Sequence, residues 1–380
     1  MPHVMARSLA KHGAKLRIFV PRRNQVSSLA RLRTRVAGAI PAAAKQVLKQ
    51  FLPVGSALPH VAWGGDDYAS TMSHFGELAN ELRDPVARSK ADFVFGCCTS
   101  SLLAGLQTEL PITYFSDTTA RLILTAYPEL AANPEGWRRA CEELEQEALR
   151  KAMTAAFATE AAKRSAIDHY GMAEPDTHTI PMGANVVPPA RPVQEPCTPK
   201  RIRLVTIAAD PLRKRLDFAT AVVDALRTRG CDASLVAIGG TTPHASLHPH
   251  TRHLGRLRLS KASERQRLAE ALAASHFLIL PSLAEAFGIA PCEAAHAARP
   301  SIVSAAGGLP EVVRHGETGL VMPMAATPDD YAEALLRVAE QHGEYDAMCE
   351  RALARARAEY TWDRWAERMM SVFERTLVSA

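Results

Sequence analysis

The sequence has no apolar run approaching the roughly 20 residues that a membrane-spanning helix needs. Its first apolar segment, Leu16–Val20, is too short for a signal-peptide core and is followed by no small-residue cleavage site. A cytoplasmic location follows by default. Aromatic residues make up only 6% of the chain while alanine is abundant, which suits a helix-rich α/β enzyme and argues against a β-sandwich. No Cys-x-x-Cys spacing occurs. The seven cysteines are scattered from Cys97 to Cys349, and the one close pair, Cys97-Cys98, is adjacent, which excludes that metal or redox motif. Reduced, mostly buried thiols are expected. Zinc-finger spacing, an RNP pattern and an aromatic-studded basic sheet are all missing, so nucleic acid is not an expected partner.

Acidic residues are absent from residues 1–65, which hold eleven Lys and Arg. The rest of the chain has the opposite sign, with 34 Lys and Arg against 40 Asp and Glu. A one-sided basic segment attracts phosphate, nucleic acid or an anionic membrane surface, or is simply a solvated helix face.

At 380 residues the chain fits two α/β domains of common size. Short apolar runs alternate with helical patterns, as in βαβ units. In the first half the strand candidates are Leu16–Val20, Phe93–Phe95, Ile112–Phe115 and Ala155–Thr159. In the second half they are Ile202–Ala208, Ala233–Ile238, Phe277–Leu280, Ser301–Ser304 and Leu320–Met322. Helices are expected over residues 2–12, Glu135–Lys151, Asp217–Arg229 and Glu264–Ala274. Five prolines within Val186–Pro199 cannot continue a helix or a central strand and mark a linker. The expected division is therefore residues 1–185, a linker over 186–200, a second domain over 201–358, and a closing helix over 359–380. Two such domains would face each other across a cleft at the C-terminal ends of their sheets. The strand that normally opens a doubly wound domain is missing before Leu16, which points to a start placed too late, a fragment or an impaired protein; the late start is favoured.

The most informative stretch is Leu278-Ile-Leu-Pro-Ser-Leu-Ala-Glu285-Ala-Phe287-Gly288-Ile289-Ala-Pro291-Cys-Glu293. A strand ends at Pro281, a loop carries Glu285 and Gly288, and a helix begins between Gly288 and Pro291. Proline is tolerated there because its missing N–H had no intrahelical partner. Glycine lets a ligand approach the backbone, and free N–H groups at a helix start favour phosphate. Ionised carboxylates only accept hydrogen bonds, which suits sugar hydroxyls. Taken singly, Glu285 is a loop cap and Glu293 a dipole partner.

This stretch resembles the Glu-x₇-Glu signature of family 4, the retaining glycosyltransferases of GT-B fold. The similarity continues through Pro300–Ser304, Gly307-Gly308-Leu-Pro-Glu311 and His315-Gly-Glu-Thr-Gly319. The resemblance implies two Rossmann-like domains and a metal-independent enzyme that moves a sugar from a nucleotide-sugar donor to an acceptor hydroxyl. It implies that Glu285 contacts the donor sugar, that Glu293 meets the ribose hydroxyls, and that the backbone of Phe287, Gly288 and Ile289 faces sugar and diphosphate. Lys214, in Asp210-Pro-Leu-Arg213-Lys214-Arg215, matches a lysine that neutralises the diphosphate. Many members also carry an arginine six residues earlier, where this chain has Ala208; Arg213 is the candidate substitute. Gly255–Lys261 resembles the segment lining a nucleobase pocket. Gly307-Gly308 either brings backbone to the ligand or makes a sharp turn.

The first half matches more weakly. Ile112-Thr-Tyr-Phe-Ser-Asp117 lies where the family often has a His-containing turn, and Asp117 either lines the acceptor side of the cleft or caps the next helix. The resemblance places the final helix, from Tyr360-Thr-Trp362 on, back against the first domain. No Asp-x-Asp occurs, so a metal-dependent GT-A enzyme is not expected. Cationic side chains and helix dipoles would stabilise the leaving diphosphate, which itself takes the acceptor proton. No cofactor is expected beyond the donor as co-substrate. The acceptor is a glycan, a lipid-linked sugar or a small molecule. Leu29, Leu32, Val36 and Ile40, at helical spacing in the basic segment, form either core or a peripheral contact with an anionic membrane. The rival readings are another GT-B enzyme, such as a sugar-nucleotide epimerase, and a non-catalytic nucleotide-sugar-binding subunit.

Overall fold

A computed structural model describes residues 2–14, 68–188 and 196–379. The expected strand Leu16–Val20, the apolar set from Leu29 to Ile40 and the middle of the Pro-rich linker lie outside these residues. The chain divides into two compact units. Unit 1 comprises Met1–Pro181 together with Trp362–Ala380, and unit 2 comprises Met182–Thr361.

Unit 1 is built on a parallel sheet of β1 (Val94–Cys97), β2 (Ile112–Ser116), β3 (Ala152–Phe157) and β4 (Thr177–Thr179), paired in that order. Successive strand side chains point to opposite faces, and here both faces are covered. Ile112, Tyr114, Ala155 and Phe157 join a core with the helices Tyr68–Ala87, Ser100–Gly105, Glu135–Lys151 and Glu160–Tyr170. On the other face lies the final helix, Trp362–Ser379. Phe115 meets the fully buried Trp365 edge to face, and Thr376 Oγ1 lies 2.7 Å from the hydroxyls of both Thr113 and Thr154. The helix Pro2–Lys11 packs on that same final helix, with Ser8 Oγ donating to Asp363 Oδ1 at 3.0 Å and Lys11 paired to the same carboxylate.

Unit 2 holds β5 (Arg201–Ala208), β6 (Asp232–Gly239), β7 (Thr251–Gly255), β8 (Phe277–Leu280), β9 (Ser301–Ser304) and β10 (Gly319–Met322). All pair in parallel in the order β10-β9-β8-β5-β6-β7. Numbered from the first strand of the unit, this is the doubly wound order 3-2-1-4-5-6 read from the other edge. It reverses direction between β5 and β8, and ligands bind at such a reversal, beyond the C-terminal strand ends. β8 and β9 are buried at every residue, as expected for strands covered on both faces.

Several elements differ from the sequence-based expectation. β7 and β4 were not expected, because Thr-Arg-His-Leu-Gly and Thr-His-Thr contain no apolar run. β3 starts and ends earlier than Ala155–Thr159, since Thr159 is instead the N-cap of the next helix, accepting from Ala162 N. The last helix begins at Trp362; Tyr360 belongs to unit 2, where its ring packs edge to face on Phe287. Four of the seven thiols, on Cys97, Cys98, Cys141 and Cys349, are only partly buried, so the expectation of mostly buried cysteines does not hold. Among the described residues no helix is long and apolar enough to cross a membrane.

Candidate functional site

The reversal between β5 and β8 brings two loops together. After β5, the Asp210 carboxylate accepts the N–H groups of Leu212 and Arg213 at 3.1 and 3.2 Å, and Lys214 N–H donates to Asp210 O at 3.1 Å. This Asx-type turn delays the helix. Arg215 takes a left-handed φ of 50° as its N-cap, and the helix runs from Leu216 to Thr228. Arg213 and Lys214 therefore sit in the turn before the helix rather than opening it. The loop after β8 is fastened to this turn by Leu283 N–H donating to Arg213 O at 2.8 Å, and to β9 by Ser304 Oγ donating to Ser282 O at 2.6 Å.

Between these loops lies the carboxylate of Glu285, 9% exposed. Its Oε1 accepts from Lys214 Nζ at 2.6 Å and Ser282 Oγ at 2.9 Å, with Arg213 Nη1 at 3.4 Å. Arg213 is itself buried and donates to Ala284 O at 2.6 Å. Burial alone would raise the pKa of Glu285. The charges of Lys214 and Arg213, and the hydrogen bonds from Lys214 and Ser282, outweigh burial and hold it below the usual carboxylate value. The three side chains carry one net positive charge, partly offset by Asp210 on the Nε side of Arg213. Sequence reading missed Ser282. Its only signal was a hydroxyl three residues before Glu285 in a loop.

Glu285 is followed by the helix Ile289–His296. Its N-cap, Gly288, has φ +102°, and a Cβ there would stand 2.6 Å from Leu309 Cδ2, so the turn requires glycine. No side chain caps this helix start. Phe287 and Gly288 are buried and Ile289 is half-buried. Gly307 and Gly308 serve the loop itself. Gly308 N–H donates to Glu285 O at 3.1 Å, and a Cβ on Gly307 (φ +50°) would stand 1.7 Å from that oxygen.

Glu293 is 4% exposed, and the main chain of Val186 and Asn185 faces its carboxyl and favours the charged form. Burial outweighs this and pushes its pKa up to about 8. Nothing in the residue pattern signals this partnership. Asp117, in unit 1, does not cap the helix Ala120–Ala126, because Thr119 accepts from Leu122 N there. Asp117 lies instead beside Cys98, just beyond β2. Glu285, Lys214, Arg213, Phe287, Gly288, Ile289 and Glu293 all belong to unit 2, and Asp117 belongs to unit 1. Among the described residues no group of three or more His, Cys, Asp or Glu side chains is gathered for a metal ion.

Two parallel-sheet α/β units, the second with charged loops at its switch point, make up the GT-B fold of glycosyltransferases. WaaG, a glycosyltransferase involved in lipopolysaccharide biosynthesis, superposes with a TM-score of 0.63 at 17% identity, over 96% of this chain and 93% of its own. Anabaena HepE in complex with UDP and glucose superposes with a TM-score of 0.59 at 16% identity, over 80% of this chain and 83% of its own. Residues 201–341 match the family described as Glycosyl transferases group 1. The D-inositol 3-phosphate glycosyltransferase of Nocardioides sp. (strain ATCC BAA-499 / JS614) is 31% identical over 176 residues, 46% of this chain and 34% of that protein. The chain thus spans about a third of the length of that curated relative.

Proposed function

We propose that this protein is a glycosyltransferase that moves a sugar from a nucleotide-sugar donor to an acceptor hydroxyl, with the donor held on unit 2. The buried Lys214–Glu285 contact at the β5/β8 switch point carries this reading. Lys214 and Arg213 face the diphosphate, and the uncapped helix start at Gly288 adds backbone N–H groups. Glu285 accepts from the sugar hydroxyls and Glu293 from the ribose. Asp117 lies on the acceptor side. The acceptor oxygen attacks the anomeric carbon with retention, and the bond from that carbon to the phosphate oxygen breaks. The acceptor proton passes to the departing phosphate, while the cations stabilise its charge in place of a metal ion. The acceptor class is a glycan, a lipid-linked sugar or a small molecule.

The buried Ala208, at the position where many family members have an arginine, favours one alternative: a subunit that binds the nucleotide sugar without turning it over. A thermal-shift screen against UDP-, GDP-, ADP- and dTDP-sugars decides between them, starting with UDP because HepE is seen with it. A ligand at 100 times its dissociation constant adds about 2.7 kcal/mol of stability. A shift with one nucleotide, lost in Lys214→Met, supports the donor site. No shift with any of the four refutes it. A shift without sugar release or transfer to any acceptor moves the binding subunit ahead.

A further inference from the structure

The chain enters unit 2 at Met182 and leaves it at Thr361. Both ends are fastened to the same short helix, Ile289–His296. At the entry, the main-chain N–H groups of Val186 and Asn185 face the buried Glu293 carboxyl. At the exit, Tyr360 O lies 3.0 Å from His296 Nε2 and accepts Ala184 N–H at 3.0 Å. His296 must therefore carry its proton on Nε2. Residues 293 and 296 are three apart, which puts both on one face of the helix. Tyr360 is held further by its hydroxyl, which donates to Val312 O at 3.2 Å, and by its ring against Phe287, in the loop before the helix. The two crossing segments are thus bonded to each other and to one helix. The N-terminal end of that helix, at Gly288, lies in the candidate donor site.

We propose that Glu293 and His296 are positioning residues that tie both crossing segments, 182–186 and 360–361, to the donor helix. Filling the donor site then stiffens both segments at once. The coupling rests on the donor reading above; the anchoring does not. A ribose on the free side of the Glu293 carboxyl orders the same group that holds Asn185 and Val186. A helix of eight residues moves as a single body, so ordering its start orders His296 and Tyr360 as well.

Hydrogen exchange of the full chain tests both parts. Without nucleotide, Glu293→Ala speeds exchange at Asn185 and Val186 by about tenfold, the equivalent of one or two lost hydrogen bonds. Glu293→Gln, whose amide oxygen still accepts, restores part of the protection. His296→Ala speeds exchange at Ala184 while the amides of β5 and β6 keep wild-type rates. Unchanged exchange at 184–186 in all three variants overturns the anchoring. If Glu293→Ala loses protection throughout unit 2, the His296→Ala result decides. Added UDP then slows exchange at 184–186 in the wild type, and much less in His296→Ala. UDP that binds, shown by a thermal shift, yet leaves these amides unchanged overturns the coupling. Failure of UDP and the other three nucleotides to bind sinks the donor reading and the coupling together, while the nucleotide-free exchange still decides the anchoring.

Discussion

Gly307→Ala offers the sharpest test of how the loop after β9 supports Glu285. The added Cβ would stand 1.7 Å from Glu285 O and 2.9 Å from its carbonyl carbon. A carbon–oxygen contact needs about 3.3 Å, so one backbone must retreat by roughly 1.6 Å. The retreat breaks the Gly308 N–H to Glu285 O bond, a loss of about 1 kcal/mol. A further 1–2 kcal/mol, roughly, comes from placing a side chain at φ +50°. The expected destabilisation is about 2–3 kcal/mol. Because a misplacement near 1 Å costs on the order of a hundredfold in a catalytic step, kcat/KM with the donor should fall by about that factor. Gly316→Ala is the control: its φ is +76°, but nothing lies within 4 Å of the built Cβ. It should lose only the backbone part, about 1–2 kcal/mol, with donor kinetics unchanged. Calorimetric unfolding and donor kinetics of the two variants side by side give the answer. Equal losses in both, with kinetics intact in both, would refute the claim that Gly307 is required by the closeness of Glu285.

Further outcomes are expected. Lys214→Met should cost about 1–3 kcal/mol in urea unfolding, less than a fully orphaned buried charge, because Arg213 and Ser282 still face Glu285. The pKa of Glu285 is depressed, so its stabilising share is present above the ordinary carboxylate range and lost as pH falls. That acid-side loss should shrink in Lys214→Met. Glu145 and Glu293 behave in the opposite sense, because burial raises them to about 7 and about 8. Between their unfolded value and these values the folded state holds protons that the unfolded chain has released. Stability should therefore fall as pH rises from about 5 to 8, by up to roughly 1.4 kcal/mol per pH unit for each group. Glu145→Gln should flatten its part of the slope; a slope identical to wild type would show that this carboxyl is ionised in the fold.

Unit 2 was the more legible half of the sequence. β8 and β9 are runs such as Phe277-Leu-Ile-Leu280, apolar because both sheet faces are covered, and they fall where expected. β7 was invisible because it is an edge strand whose residues are no more than half-buried, so burial left no apolar stamp on Thr251–Gly255. Glu285 and Lys214 stood out through a motif, but their contact did not, since it depends on the β5–β8 pairing of distant segments. Ser282 and the anchoring of Asn185 and Val186 were illegible for the same reason. A hydroxyl or a main-chain N–H has no periodicity from which its partner can be read.

The final helix has a consequence for the order in which the protein is made. Unit 1 is the first unit to emerge from the ribosome, yet among the described residues one face of its sheet is covered by Trp362–Ser379, which follows all of unit 2. At ordinary synthesis rates that delay is roughly 10–40 s. Throughout it, Phe115 and the hydroxyls of Thr113 and Thr154 lack the Trp365 and Thr376 that later bury them. Unit 2, continuous in sequence, has no such wait. Unit 2 is therefore complete before Trp365 and Thr376 reach their partners on the sheet of unit 1.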